Sequence, residues 1–198
     1  MRLGLGRAVV KTVAALAGAP IALVLLLGAA MGAPAPSAIT GVPVAYPADL
    51  PSPPSVFAGT ASGCTVPDPT GTGGCVTEAA AWLLDQVAEG FGPLPTSCWD
   101  AHAWNPASDH PLGKGCDVTF GELGTFPGPD DIQRGWVLAE WLRSNAGALR
   151  VSYVIWQGLI WTTARADAGW RTYTGGGVYD PSDPTGGHFD HIHVSTSL

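Results

Sequence analysis

The sequence predicts an α+β domain, a small antiparallel sheet with flanking helices. Residues 78–91 and 130–145 carry apolar side chains at helical spacing, while 116–120, 151–162 and 191–195 read as short strands. Helices and strands do not alternate along the chain as a βαβ fold requires, and no internal repeat is present.

The chain begins with Arg2, Arg7 and Lys11, then an uncharged stretch rich in Ala, Leu and Val, and no charged residue follows until Asp49. A basic start before an apolar run is an export signal, so residues 1–32 are read as a signal peptide or membrane anchor. Small residues around Ala30 and Gly32 permit cleavage before Ala33, and the apolar run also approaches the roughly 20 residues that span a bilayer. Residues 33–62, dominated by Pro, Ala, Ser and Gly, bury too little apolar surface to offset their ordering entropy and read as a tether. The folded domain is then expected over 63–198, outside the cytoplasm in the cell envelope or the medium.

Of nine Lys and Arg residues, three lie in the leader, and all sixteen acids lie beyond it, leaving the remainder at a formal −10. Nucleic-acid binding needs a basic footprint and is excluded as a partner class. The four cysteines, Cys64, Cys75, Cys98 and Cys116, are an even count in an exported chain and are expected to form two disulfides. Three pairings are open. The preferred one joins Cys64 to Cys75 across a Pro/Gly-rich loop and Cys98 to Cys116 beside the first histidine motif.

Within the domain, Ala79, Trp82, Leu83 and Val87 form one face of the first helix, which Gly92-Pro93 ends. Residues 99–105 are a loop. The strand at 116–120 places Asp117 and Thr119 on one face, Cys116 and Val118 on the other. Asp130 or Asp131 caps the second helix, whose stripe is Ile132, Trp136, Leu138, Ala139 and Leu142. A hairpin turns at Gln157-Gly158, residues 165–187 read as irregular, and 191–195 is the last strand.

Chemistry concentrates in two segments, Ser108-Asp109-His110-Pro111-Leu112-Gly113-Lys114-Gly115-Cys116-Asp117 and His188-Phe189-Asp190-His191-Ile192-His193. Imidazole and carboxylate donors without thiolates are the ligand set of a hydrolytic zinc site. Residues two apart on a strand share a face, so His191 and His193 point together while Ile192 and Val194 face the core.

Ser108-x-His110-x-x-Gly113-x-Gly115-x-Asp117 followed by His191-x-His193 resembles the zinc signature of the LAS peptidases. These include lysostaphin-like enzymes, D-Ala-D-Ala carboxypeptidases and the zinc domain of hedgehog proteins. The longer His188-x-x-His191-x-His193 spacing is similar to penicillin-insensitive murein endopeptidases. The wording at 102–105, 153–157 and 174–179 looks like an actinobacterial exported branch grouped with M15-type peptidases. The resemblance covers roughly residues 98–195.

It implies a hedgehog/D-Ala-D-Ala peptidase-like zinc domain, with one Zn2+ per chain bound by His110, Asp117 and His193. It also implies His191 as general base or transition-state partner and His188 as a nearby polar contact. Asp190, turned away from His191 on a regular strand, is assigned to holding a histidine tautomer. Ser108 is a candidate loop support.

The implied function is a zinc peptidase acting on peptidoglycan stems or cross-links, as a monomer that meets the membrane only through an uncleaved leader. The alternative is an inactive, zinc-stabilised wall-binding or interaction module. Two departures stand out. Gly115 replaces the family's usual Ala, read as loosening the turn, and no Arg or Lys lies in residues 96–108, where D-Ala-D-Ala enzymes carry a substrate-contacting Arg. His102 is the candidate substitute, Tyr173 and Tyr179 are candidate oxyanion donors, and Trp104, Trp156 and Trp161 are candidates for lining a groove.

Overall fold

The computed structural model describes residues 50–60, 63–105 and 107–197. The leader and most of the tether lie outside the described residues. No helix among those described is long and apolar enough to cross a membrane. The architecture is α+β, as the sequence predicts.

A small hairpin pairs β1 (Val66–Pro67) with β2 (Cys75–Val76). Helix α1 (Glu78–Phe91) follows, its N-terminus capped by Thr77, whose side-chain oxygen accepts from the Ala80 amide. It stops at Gly92, which takes a left-handed φ of 76° and donates to the Ala88 carbonyl.

Strands β3 (Thr96–Ser97) and β4 (Gly115–Thr119) come next, then α2 (Pro129–Ser144) and a single-turn α3 (Ala146–Leu149). The chain closes with the hairpin β5 (Val151–Trp156) and β6 (Leu159–Thr162), β7 (Arg171–Thr172) and β8 (His191–Thr196). The main sheet has the order β3-β4-β8-β5-β6-β7, every neighbour antiparallel.

Three expectations need amending. Helix α2 is capped by neither Asp130 nor Asp131: Gly128 occupies the cap without a side-chain bond, Pro129 opens the first turn, and the two acids sit within that turn. There they favour the partial positive charge of the helix start rather than cap it. The stretch 165–187 is not wholly irregular, because β7 extends the sheet. The tether also ends sooner than residue 62. The Ser55 amide donates to Gln86 Oε1, the Phe57 amide to the Ala148 carbonyl and the Thr60 amide to Glu78 Oε2. The segment around Pro51–Pro54 therefore lies against α1 and Trp141.

The core lies between the helices and one face of the sheet. Val118, Ile192, Val194, Val154 and Trp156 meet Leu83, Leu138, Leu142 and Leu149 there, all nearly inaccessible to solvent. Trp156 and Trp161 belong to this core and not to a groove. Gly135 on α2 is required by Trp156, since a Cβ there would stand 2.2 Å from its ring. The opposite face of the sheet, free of helices, carries the polar site.

Candidate metal centre

The register between β4 and β8 sets Asp117 opposite His193 and Thr119 opposite His191. Strand alternation then puts Asp117, His191, His193 and Ser195 on the helix-free face and Ile192 and Val194 in the core. The disulfide Cys98–Cys116 ties the start of β4 to the end of β3, and Cys64–Cys75 closes the β1–β2 loop. Both pairings are the preferred ones. The second carries a chemical consequence: the Cys98 carbonyl accepts a short hydrogen bond from His110 Nδ1. That bond leaves His110 Nε2 with its lone pair facing the cavity.

His110 arrives on the loop between β3 and β4. The His110 amide donates to Ser108 Oγ, and the Leu112, Lys114 and Gly115 amides all donate to the Asp109 carbonyl. Gly113 adopts a φ of 67°, and a Cβ there would stand 2.6 Å from Cys64 Sγ. Gly115 is not a loosened turn residue but the first residue of β4. A Cβ on it would lie 3.1 Å from His193 Cε1 and 3.2 Å from the His110 amide nitrogen, so its smallness makes room for the His193 ring and for the backbone that delivers His110.

The donors converge. His193 Nδ1 is 2.9 Å from Asp117 Oδ1, His110 Nε2 is 3.2 Å from His193 Nδ1, and His110 Nε2 is 3.3 Å from Asp117 Oδ2. Nitrogen and oxygen donors about 2.0–2.1 Å from a tetrahedral ion stand roughly 3.3 Å from one another. The three residues could therefore hold a metal ion. His193 is oriented from behind: its Nε2 lies 3.0 Å from Ser195 Oγ and 3.2 Å from the Tyr153 hydroxyl, and the Tyr153 ring stacks on it at 5.3 Å. Asp109 bonds to both Ser195 and Tyr153 and forms a 2.7 Å ion pair with Lys114.

His191 stands beside this group, its Nε2 3.7 Å from Asp117 Oδ1. Its Nδ1 donates to Asp190 Oδ1 at 2.6 Å, while Asp190 Oδ2 accepts from the Gly124 amide and the Thr185 hydroxyl, each at 2.7 Å. Asp190 therefore does not turn away from His191, because it precedes β8 and is free of strand alternation. Burial would raise its carboxyl, but the bonds from His191, Thr185 and Gly124 outweigh that and hold it at about 2.

For Asp117, burial is likewise outweighed, by the charge of His191 and the bonds from His110 and His193, and its pKa lies well below the ordinary carboxylate range. His191 is raised: burial opposes protonation, and Asp117 and Asp190 overcome it. His188 is the reverse case, since burial and then the neighbouring His191 and His193 depress it strongly. It sits 4.7 Å from His191 ring to ring, with a left-handed φ of 57° and a buried Nδ1 lacking a partner.

These groups open on one cavity of about 350 Å³. Its walls include Tyr173, Tyr179 and Trp104, and Trp104 is well exposed with its ring edge-on to Tyr179. Burial, then the neighbouring Tyr179, pushes the Tyr173 hydroxyl up to about 12, so it stays a neutral donor. His102 also lines the wall, its Nδ1 3.5 Å from Asp100 Oδ1 and 3.4 Å from Ser108 Oγ.

Sequence reasoning missed Asp109, Tyr153, Ser195 and Thr185. Ser195 had a signal, since it lies two residues beyond His193 on the same strand face. Asp109 adjoins His110 and Thr185 lies three residues before His188, but their loop positions carry no periodicity that would aim them, and Tyr153 comes from a strand distant in sequence.

Residues 72–189, more than half of the chain, match the profile of the family described as VldE, C-terminal domain. The matched span includes His110, Asp117 and His188 and ends just before Asp190, His191 and His193. Neither the curated proteins nor the solved structures contain a match. The chain belongs to the VldE C-terminal domain family.

Proposed function

We propose that the chain is an exported zinc-dependent peptidase that hydrolyses peptide bonds in peptidoglycan stems or cross-links. The observation that carries this reading is the meeting, in one cavity, of three donors at metal-ligand spacing with a third histidine, His191, backed by a buried carboxylate. Zinc held by His110, Asp117 and His193 supplies a Lewis acid that polarises a carbonyl and brings the pKa of water down to about 7.

The chain's own groups do the rest. Asp190 accepts from His191 Nδ1, so Nε2 keeps its lone pair towards the cavity, where it takes a proton from the attacking water. The new C–O bond forms as the carbonyl π pair moves onto its oxygen; when that pair returns the C–N bond breaks, and the same imidazole gives its proton to the departing amine. The Tyr173 and Tyr179 hydroxyls line the wall as neutral donors for developing negative charge. Two disulfides suit an oxidising compartment outside the cytoplasm. A wall-binding module stabilised by zinc has no use for a hydrogen-bonded Asp190–His191 pair beside its metal, and so the pair favours turnover.

The test is incubation of purified muropeptides with the zinc-loaded protein, read by mass spectrometry, with a chelated sample alongside. New peptide termini that vanish on chelation are expected. Intact substrate at full zinc occupancy would leave the binding module as the better account.

A further inference from the structure

The charge of the cavity bears on which bond is cut, an inference that rests on the peptidase reading. Among the described residues lining the cavity there is no Lys or Arg, and its acids are Asp109 and Asp117. The nearest ammonium in the sequence, Lys114, is held by Asp109 at 2.7 Å and does not reach the lining. His102, the one candidate cation upstream, already faces Asp100 and Ser108.

Arg171 does share the site face of the sheet. It is opposite Ile160, which is opposite Ile155, which is opposite His193. Three strand spacings separate it from His193, about 14 Å, and its Nη2 donates to Thr162. A free carboxylate one residue beyond a scissile carbonyl lies only roughly 3.5 Å further along the chain. Arg171 is too distant to meet it.

A carboxylate at that position would lie against walls made by Trp104, Tyr173, Tyr179 and Val178, where no Lys or Arg side chain is placed to pair with it. We infer that the site cleaves internal amide bonds, those followed by a further amide, and discriminates against bonds whose next group is a terminal carboxylate. Among peptidoglycan bonds this favours cross-links whose acceptor amine is borne by a carbon without a free carboxylate, as in a lysine side chain or an amidated diaminopimelate, over the terminal D-alanine that a carboxypeptidase trims.

The experiment uses two synthetic stem peptides sharing one scissile D-alanyl bond. In one the residue after the bond ends as the free acid, and in the other it ends as the methylamide. The zinc-loaded full chain is expected to show kcat/KM at least about tenfold higher on the amide, the penalty of a charge left without its hydrogen-bonded partner. Equal rates, or preference for the acid, would overturn the inference while leaving the peptidase reading intact. Cleavage of neither peptide at full zinc occupancy would remove both. Ala107→Arg, at an exposed position on the cavity wall, adds a cation to a lining that has no Lys or Arg and is expected to narrow the ratio. A ratio unmoved by it would mean that charge is not the discriminator.

Discussion

Asp190→Asn separates the chemistry of the site from its architecture. Asp190 is completely buried and accepts three hydrogen bonds, from His191 Nδ1, the Gly124 amide and the Thr185 hydroxyl. An asparagine has one oxygen for two acceptor positions. With that oxygen towards Gly124 and Thr185 it keeps two bonds, and its NH2 then faces His191 Nδ1. The reverse orientation sets an NH2 against the Gly124 N–H, so the first wins. His191 must respond by accepting at Nδ1 and carrying its proton on Nε2, the nitrogen that faces the cavity.

Each bond to a charged acceptor contributes about 1.5–3 kcal/mol and a neutral one about 1, so replacing the charge destabilises the fold by roughly 2–3 kcal/mol. A carboxyl held at about 2 instead of 3.8 agrees, since that difference corresponds to about 2 kcal/mol. Because the folded pKa is lowered, this stability is fully present above pH 3.8 and is lost as pH falls towards 2. General-base assistance is worth about 10²–10⁴-fold, and kcat is expected to fall within that range while zinc content stays at one per chain. The assays are elemental analysis, urea unfolding and muropeptide turnover on the same preparation. Full turnover by a destabilised, zinc-loaded Asp190→Asn protein would refute the tautomer argument and reduce Asp190 to a structural anchor.

Other perturbations reach the remaining parts of the site. His193→Ala and His110→Ala are expected to lose zinc by elemental analysis, whereas His191→Ala retains it and loses turnover. Asp109→Asn, which breaks the ion pair to Lys114 and weakens the support behind His193, should lower zinc affinity about 10–100-fold in a chelator competition. Away from the site, the buried Asp68 accepts from Thr70, Thr72 and the Trp99 amide, which together hold its pKa below the ordinary value against the opposing effect of burial. Asp68→Ala is expected to cost about 2–3 kcal/mol in urea unfolding near neutral pH, with the gap to wild type closing as pH falls below 3.8.

The parts of the molecule legible in sequence are those governed by local periodicity. Helix α1 has an apolar face, a Thr cap and a terminal glycine within one window, so its bounds can be read directly. The β5–β6 hairpin is equally local, because Gln157 and Gly158 both take left-handed φ values of 50° and 68°. The two-residue strands β3 and β7 leave no periodic trace and exist only through their neighbours in the sheet. Asp190 shows the same limit within the site: its role follows from its contact with His191, but its direction depends on where β8 begins.

What assembles the centre is one register. His193 opposite Asp117 is a pairing of adjacent strands, and the 2.9 Å contact between their side chains follows from it. A slip of one residue would turn His191 and His193 into the core and bring Ile192 and Val194 to the cavity. Such a slip would drive two imidazoles into the buried hydrophobic core that holds Leu138 and Leu142. The alternation that buries Ile192 and Val194 is thus the same constraint that presents both histidines. The Cys98–Cys116 bridge extends the constraint to the third donor, since it fixes the carbonyl that orients His110. The metal-ligand geometry is in this sense a consequence of core packing on the opposite face of the same two strands.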